Sequence, residues 1–295
     1  MTMFFRRMII IILGVLGGLA AWPALQLLLS FQTSFPSFLL FSLVSGAILG
    51  MIFGAFFSSA NGIIIRRLDR LFIGMGIGAG IGLLGGAAGF LIAQRVFLFF
   101  GERIALADGE LQTIGLPISR AFGWAVLGTF IGIPEGIRTR SGRKIITGIV
   151  GGFLGGFIGG IFLELLKSLF PASGIASLFG LLLLGAAIGF AYSVIEQRMS
   201  YGVLRLLNGL YKGKEFILNQ NKIEIGNSRR CEVLLDAYDG VEPVHAFMIA
   251  ENGELVLRPL AADSLKINDE MIEERVLKYE DVFQIGSAKL LYKQR

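Results

Sequence analysis

Two stretches decide the fold: RLFIGMGIGAGIGLLGG (Arg70–Gly86) and KIITGIVGGFLGGFIGG (Lys144–Gly160). Each opens on a basic residue and then runs four helical turns with no further charge. Gly74, Gly78, Gly82 and Gly86 in the first match Gly148, Gly152, Gly156 and Gly160 in the second, at a constant offset of 74 residues. A period of four keeps small residues on one face of an α-helix. In lipid no hydrophobic force holds helices together, so such a bare face, admitting a second backbone, is a main source of association. These glycines are therefore expected to be helix-packing positions.

Working outward, six apolar stretches can be read, at Met8–Ser30, Phe38–Ser58, Leu71–Ala93, Ile118–Gly136, Ile145–Leu166 and Ile175–Ile195. Each is close to the ~20 residues a helix needs to cross ~30 Å of hydrocarbon. The first is too long for a secretory signal core and five more follow it, so it reads as a retained helix. Even-numbered stretches share a second pattern: Leu49-Gly50 then Gly54, Leu127-Gly128 then Gly132, and Leu184-Gly185 then Gly189. Gly14 and Gly18 after Arg7 resemble a shorter copy of the glycine series. The expected architecture is an all-α membrane bundle of six transmembrane helices, arranged as three α-hairpin repeats.

Arg6 and Arg7, then Arg66, Arg67 and Arg70, then Arg138, Arg140, Arg143 and Lys144 all fall at one expected end of that bundle. By the positive-inside rule both termini are expected in the cytoplasm and the helices in the cell inner (cytoplasmic) membrane, with the bilayer itself as a partner. The charge is divided unevenly. Residues 1–195 hold 13 Lys+Arg against 6 Asp+Glu, whereas residues 196–295 hold 14 against 16. The net +5 is thus a topology signal of the apolar part, and nucleic acid is not an expected partner.

Composition excludes much else. Hydrophobic residues make up 54% and charged residues 17%, too apolar for a single soluble core or for a disordered chain. One cysteine, Cys231, excludes an internal disulfide or a Cys-rich metal site, and one histidine, His245, leaves little for a zinc centre. Gly80-x-Gly82-x-x-Gly85 matches the dinucleotide fingerprint only formally, because it lies inside an apolar span with no strand before it. No catalytic residue, cofactor or metal is expected. Glu135 with Arg138, and Glu164 with Lys167, are three residues apart, which allows same-face pairing. They are the first residues to test for transport.

After Gly202 the period changes to two. Short runs at Val203–Leu207, Phe216–Leu218, Lys222–Ile225, Val233–Leu235, Ala246–Ile249, Leu255–Leu257, Leu265–Ile267 and Val282–Ile285 are separated by Asn208-Gly209, Asp239-Gly240 and Asn252-Gly253. Many short strands punctuated by turn dipeptides predict a cytoplasmic all-β sandwich. The expected division is 1–195 membrane domain, 196–201 linker and 202–295 sandwich. Cys231 is expected to be packing, and Glu273-Glu274 and Glu280-Asp281 a solvated acidic face.

The stretch Val203–Tyr292 resembles a forkhead-associated (FHA) domain. The resemblance runs through Leu206-Leu207-Asn208-Gly209, Lys212-Gly213-Lys214-Glu215-Phe216, Ile225-Gly226, Val233-Leu234-Leu235, His245-Ala246, Ile267-Asn268 and Leu277. It closes at Asp281-Val282-Phe283-Gln284-Ile285-Gly286. It implies a β-sandwich that usually binds phosphothreonine peptides through loops at one end. By the same resemblance Gly226, His245 and Asn268 are structural, and Asn227, Ser228, Arg229, Arg230, Glu242, Asp263 and Ser264 are the loop positions facing a partner. Asn227 stands where the family usually has Arg, Glu242-Pro243 where it has Ser-Arg, and Asp263 where it has Asn. Phosphate carries about −1.5 to −2 charges, so Glu242 and Asp263 oppose it. The expected function is a scaffold or signalling adaptor, within a membrane complex or as a homo-oligomer. It would bind a protein partner without requiring phosphorylation. The alternative is a small channel or transporter regulated by the FHA-like domain.

Overall fold

The computed structural model describes residues 3–64, 67–105, 109–171, 173–251, 253–260, 265–267, 270–271 and 274–293. The chain divides into two compact units, Arg6–Glu196 and Gln197–Arg295 together with Met1–Phe5.

The helical unit contains α1 (Met3–Ser30), α2 (Phe38–Ile64), α3 (Leu68–Ala105), α4 (Gly109–Gly132), α5 (Pro134–Arg138), α6 (Gly142–Leu169) and α7 (Gly174–Arg198). Among the described residues five of these, α1, α2, α3 through Val96, α6 and α7, are long and apolar enough to cross a membrane. α4 supplies the sixth long helix. With no water in hydrocarbon, such segments must satisfy their backbone groups internally, which a helix does. The fourth apolar stretch was expected to run unbroken to Gly136. Instead α4 stops at Gly132, and α5 starts with Pro134 at its first position. Proline has no N–H to donate and is well suited to the first turn of a helix. Ser141 then caps α6, its side chain accepting the Lys144 N–H at 3.3 Å.

The closest backbone approaches lie across turns and between the first and last helices of the helical unit. Gly46, Gly50 and Gly54 of α2 face Gly86, Gly82 and Gly78 of α3, and Gly74 faces Ser58. Gly128 and Gly132 of α4 face Gly152 and Gly148 of α6, while Gly156 and Gly160 lie against Trp124. Gly14 of α1 faces Gly185 of α7, and Gly18 faces Leu181. A Cβ at any of these would collide with a neighbouring backbone or ring. The register carries Gly54 onto Gly128 and Gly78 onto Gly152. The shared Leu-Gly dipeptide at Leu49-Gly50 therefore sits one turn away from its apparent counterpart, Leu127-Gly128.

Large apolar side chains occupy the middle of the helical unit. Phe53, Leu127 and Leu184 are fully buried, Ile131 and Ile188 nearly so, and all belong to one apolar cluster against which Phe57 packs. These residues come from α2, α4 and α7, one helix of each glycine-paired set, and Ala21 and Leu25 of α1 and Leu163 of α6 complete the cluster.

The β unit has two sheets. One has the order β2 (Glu215–Leu218), β1 (Gly202–Leu206), β11 (Ala288–Lys293), β10 (Val282–Ile285), β7 (Leu265–Ile267), β8 (Glu270–Met271). The other runs β4 (Val233–Leu234), β3 (Lys222–Gly226), β5 (Ala246–Glu251), β6 (Glu254–Pro259), β9 (Arg275–Val276). Alternate residues such as Leu204, Leu206, Ile223, Ile225, Met248, Leu257, Phe283, Ile285 and Leu290 fill the core between them. β11 was not among the expected strands, although Ala288, Leu290 and Tyr292 alternate with Lys289, Leu291 and Lys293. Gly209, Gly240 and Gly253 adopt positive φ of 71°, 71° and 90°, the turn geometry for which glycine is suited. α7 extends to Arg198, inside the stretch expected to be linker.

Candidate protein-interaction site

Antiparallel pairing fixes where the sandwich loops gather. β1 ends at Leu206 beside Leu290, and β3 ends at Gly226 where β5 begins. The connections β1–β2, β3–β4, β4–β5, β6–β7 and β10–β11 therefore share one end of the sandwich, opposite the start of β1. Contacts among them tie that end together. The Tyr238 hydroxyl donates to the Asn208 carbonyl at 2.7 Å, Asn208 Nδ2 donates to the Ser287 carbonyl at 2.7 Å, and Asp239 N–H donates to Ser287 Oγ at 3.0 Å.

The β3–β4 loop folds onto the β4–β5 loop through Asn227. Its backbone N–H donates to the Glu242 carbonyl at 2.9 Å, and its side-chain amide donates to the Val241 carbonyl at 2.6 Å. Ser228 N–H donates to the Pro243 carbonyl at 3.0 Å. A Cβ on Gly226 would meet the Pro243 and Glu242 carbonyls, so only glycine permits this approach. His245 is buried; its Nδ1 accepts the Glu242 N–H at 3.3 Å and its own N–H donates to the Ile225 carbonyl at 2.8 Å. Asn227, Arg229, Arg230 and Glu242 are exposed on this surface, with Ser228 half-buried among them.

Burial is the main cause of a pKa shift at three groups of the same unit. Burial pushes the Cys231 thiol up, and its Sγ lies 3.2 Å from the Pro243 carbonyl it donates to. Burial also raises the Tyr238 phenol. Lys214 is lowered by burial, against an opposing pull from Asp236, and lies 5.0 Å and 4.8 Å from the Tyr211 and Phe216 ring centres.

Residues 205–295 match the family model of the Yop-YscD cytoplasmic domain, described as an inner membrane component of T3SS. The C-terminal domain is FHA-like. Solved structures, FHA domains among them, are similar to it over about a third of this chain. A phosphothreonine-dependent FHA domain shares 20% identity, covering 32% of this chain and 95% of its own, with a TM-score of 0.29. The FHA domain of the CT664 protein from Chlamydia trachomatis shares 17% over 32% and 96%, with a TM-score of 0.29. The Slr1951 protein from Synechocystis shares 17% over 32% and 97%, with a TM-score of 0.29. No curated protein matches the chain.

Within the FHA-like domain the structure brings Gly226, Asn227, Ser228, Glu242 and His245 together. Asp263, Ser264 and Asn268 lie outside the described residues. Asp281 departs from the expected solvated face: it is buried and its carboxylate accepts the Lys278 N–H at 2.8 Å. A tight turn at Lys278–Asp281 needs that acceptor, and Glu280 takes a positive φ of 74° there. Glu274 is exposed and pairs with Arg258 at 2.7 Å. Glu273 lies outside the described residues.

The helical unit has its own polar clusters. Glu135 accepts Arg138 at 2.9 and 2.7 Å and Asn61 at 3.1 Å, with Lys144 Nζ 3.7 Å away. Arg6 forks onto Glu196 at 3.1 and 2.8 Å, and Glu196 is almost wholly buried. Of these groups Arg6, Asn61 and Glu135 line a cavity of about 40 Å³, together with Phe57, Ile131, Ile188 and Tyr192 among others. Glu164 was expected to face Lys167. It instead accepts Arg120 at 3.2 Å and the Trp124 indole at 3.1 Å, both from α4. Buried inside the α4–α6 contact, its carboxylate reaches across helices, where residue spacing along α6 gives no signal. Among the described residues no group of His, Cys, Asp or Glu is arranged to hold a metal.

Proposed function

We propose that this protein is a membrane scaffold or adaptor of the inner membrane, in which a six-helix bundle holds an FHA-like domain that recruits a protein partner at the cytoplasmic face. The observation that carries the reading is Asn227. At the place where the resemblance implies a phosphate-reading cation, its amide is committed to the Val241 carbonyl and its neighbour is the exposed acid Glu242. Glu242 opposes phosphate although Arg229 and Arg230 share the surface, and Asn227 is turned inward, so partner binding is read as not depending on phosphothreonine. The match to a T3SS inner-membrane cytoplasmic domain supports a place in a membrane complex.

Both termini are cytoplasmic in this reading, in keeping with the basic turns at the end where α1 starts and α7 finishes. The glycine-paired sets α2–α3, α4–α6 and α1–α7 are read as three copies of one packing unit, closed into a ring by the first and last helices. Their glycine faces are consumed inside one chain, so contacts between subunits would use other surfaces. A transport path is the weaker reading, because Phe53, Leu127 and Leu184 fill the interior.

The test is affinity capture with the full chain in detergent against paired phosphothreonine and unmodified peptide libraries, and against membrane-complex proteins. Partner binding unchanged by phosphatase treatment is expected. Tight binding only to phosphothreonine peptides would overturn the reading.

A further inference from the structure

We infer that the cavity at the end of the helical unit where α1 starts and α7 finishes is a binding site for a small monovalent anion of the halide class, with Tyr192 and Arg6 as its donors. The cavity, of about 40 Å³, lies between α1, α2, the α4–α5 junction and α7, and is well above the ~10–15 Å³ that one water needs. Beside it stand five charged side chains, Arg6, Arg138 and Lys144 against Glu135 and Glu196, none more than 23% exposed. Lys144 lies within the field of the other four. Each ion pair is satisfied locally, yet three cations facing two carboxylates leave one positive charge over, in a place that water screens poorly. Asp69, the remaining acid described at this end, is exposed and taken by Arg67.

Two residues of the cavity wall keep donors unspent. The hydroxyl of half-buried Tyr192 has no hydrogen-bond partner among the described residues, although a tyrosine drawn into protein ordinarily finds one. Arg6 spends Nε and Nη2 on Glu196, which leaves Nη1. Glu135, also on the wall, is committed elsewhere: both its oxygens accept Arg138, and one accepts Asn61 as well. The other walls include the apolar side chains of Ile10, Phe57, Ile131 and Ile188. Two donors among apolar walls match a large, weakly hydrated anion such as chloride or bromide. Phosphate, with more acceptor oxygens than these donors serve, would be left with most of them unmet. A cation is opposed by the surplus charge, and water alone would leave that charge standing. Arg6 keeps 23% of its side chain exposed, so the cluster is reached from solvent.

Thermal unfolding of the full chain in detergent, with chloride titrated against gluconate at constant ionic strength, tests this. The unfolding midpoint should rise with chloride and saturate, and bromide should replace chloride. Tyr192→Phe keeps the ring and removes the donor. It should raise the half-saturating chloride concentration about tenfold, the effect of one hydrogen bond to a charged group. Crystals of the unmodified chain grown in bromide should show its anomalous signal beside Tyr192, which keeps the test decisive should the variant unfold. A midpoint that follows ionic strength alone, whichever anion supplies it, overturns the proposal. So does a Tyr192→Phe loss that is equal in chloride and gluconate, the mark of a packing role only, and so does a cavity that takes up no bromide.

Discussion

The side-chain amide of Asn227 donates to the Val241 carbonyl at 2.6 Å, stitching the β3–β4 loop of the FHA-like domain to the β4–β5 loop. The residue thus works inward, on its own domain, at the position where the resemblance would have placed a reader of phosphate. Asn227→Ala should cost about 0.5–1.5 kcal/mol in stability, the net value of one hydrogen bond. Chemical denaturation checks this. Asn227→Arg alone should not create phosphothreonine binding, because Glu242 remains beside it; calorimetry with a phosphopeptide reads the outcome.

Glycine substitutions should separate into two classes. Gly50→Leu or Gly82→Leu drives a side chain into the opposing backbone of the α2–α3 pair and should abolish folding of the bundle. Gly76 and Gly80, on the same helix as Gly82, have open space where a Cβ would stand, with nothing within 4 Å. Alanine there should be tolerated and raise stability by about 0.5–1 kcal/mol through helix propensity. Thermal unfolding in detergent distinguishes the classes.

Glu196→Gln should cost about 3 kcal/mol or more, because it leaves the Arg6 guanidinium without the buried carboxylate it forks onto. Asp69→Asn, at an exposed pair screened by solvent, should leave the unfolding midpoint essentially unchanged. Denaturant unfolding of both variants in detergent makes the comparison, and equal effects would contradict the burial seen in the structure.

Cys231 should alkylate slowly in the folded protein and rapidly in urea, since its thiol is buried and its pKa raised. A folded value above the unfolded one means the stabilisation is complete below the ordinary pKa of 9.0 and is lost as pH rises beyond it. Cys231→Ala should flatten that alkaline decline, as measured by unfolding from about pH 8 upward.

Much of this was legible in the sequence. Apolar runs of about 20 residues and the change to period two after Gly202 are local patterns, and local patterns dictate helices and strands. Asn208-Gly209 and Asp239-Gly240 marked turns for the same reason. The partner of Glu164 was not legible. Lys167 shares its helix and was visible by spacing, but Arg120 and Trp124 lie on another helix and carry no such mark.

The sequence by itself determined that glycine faces exist, because a period of four is written along the chain. Tertiary structure alone decided which faces meet and in what register. A face repeating every turn looks the same after a slip of one turn, so glycine spacing cannot distinguish Gly50 from Gly54 as the counterpart of Gly128. The observed register is the one that brings Phe53, Leu127 and Leu184 into one buried cluster. The closure of α1 on α7, through Gly14 with Gly185 and Arg6 with Glu196, joins the two ends of the helical unit. No local period encodes a contact of that range; it arises only when the helices between have packed.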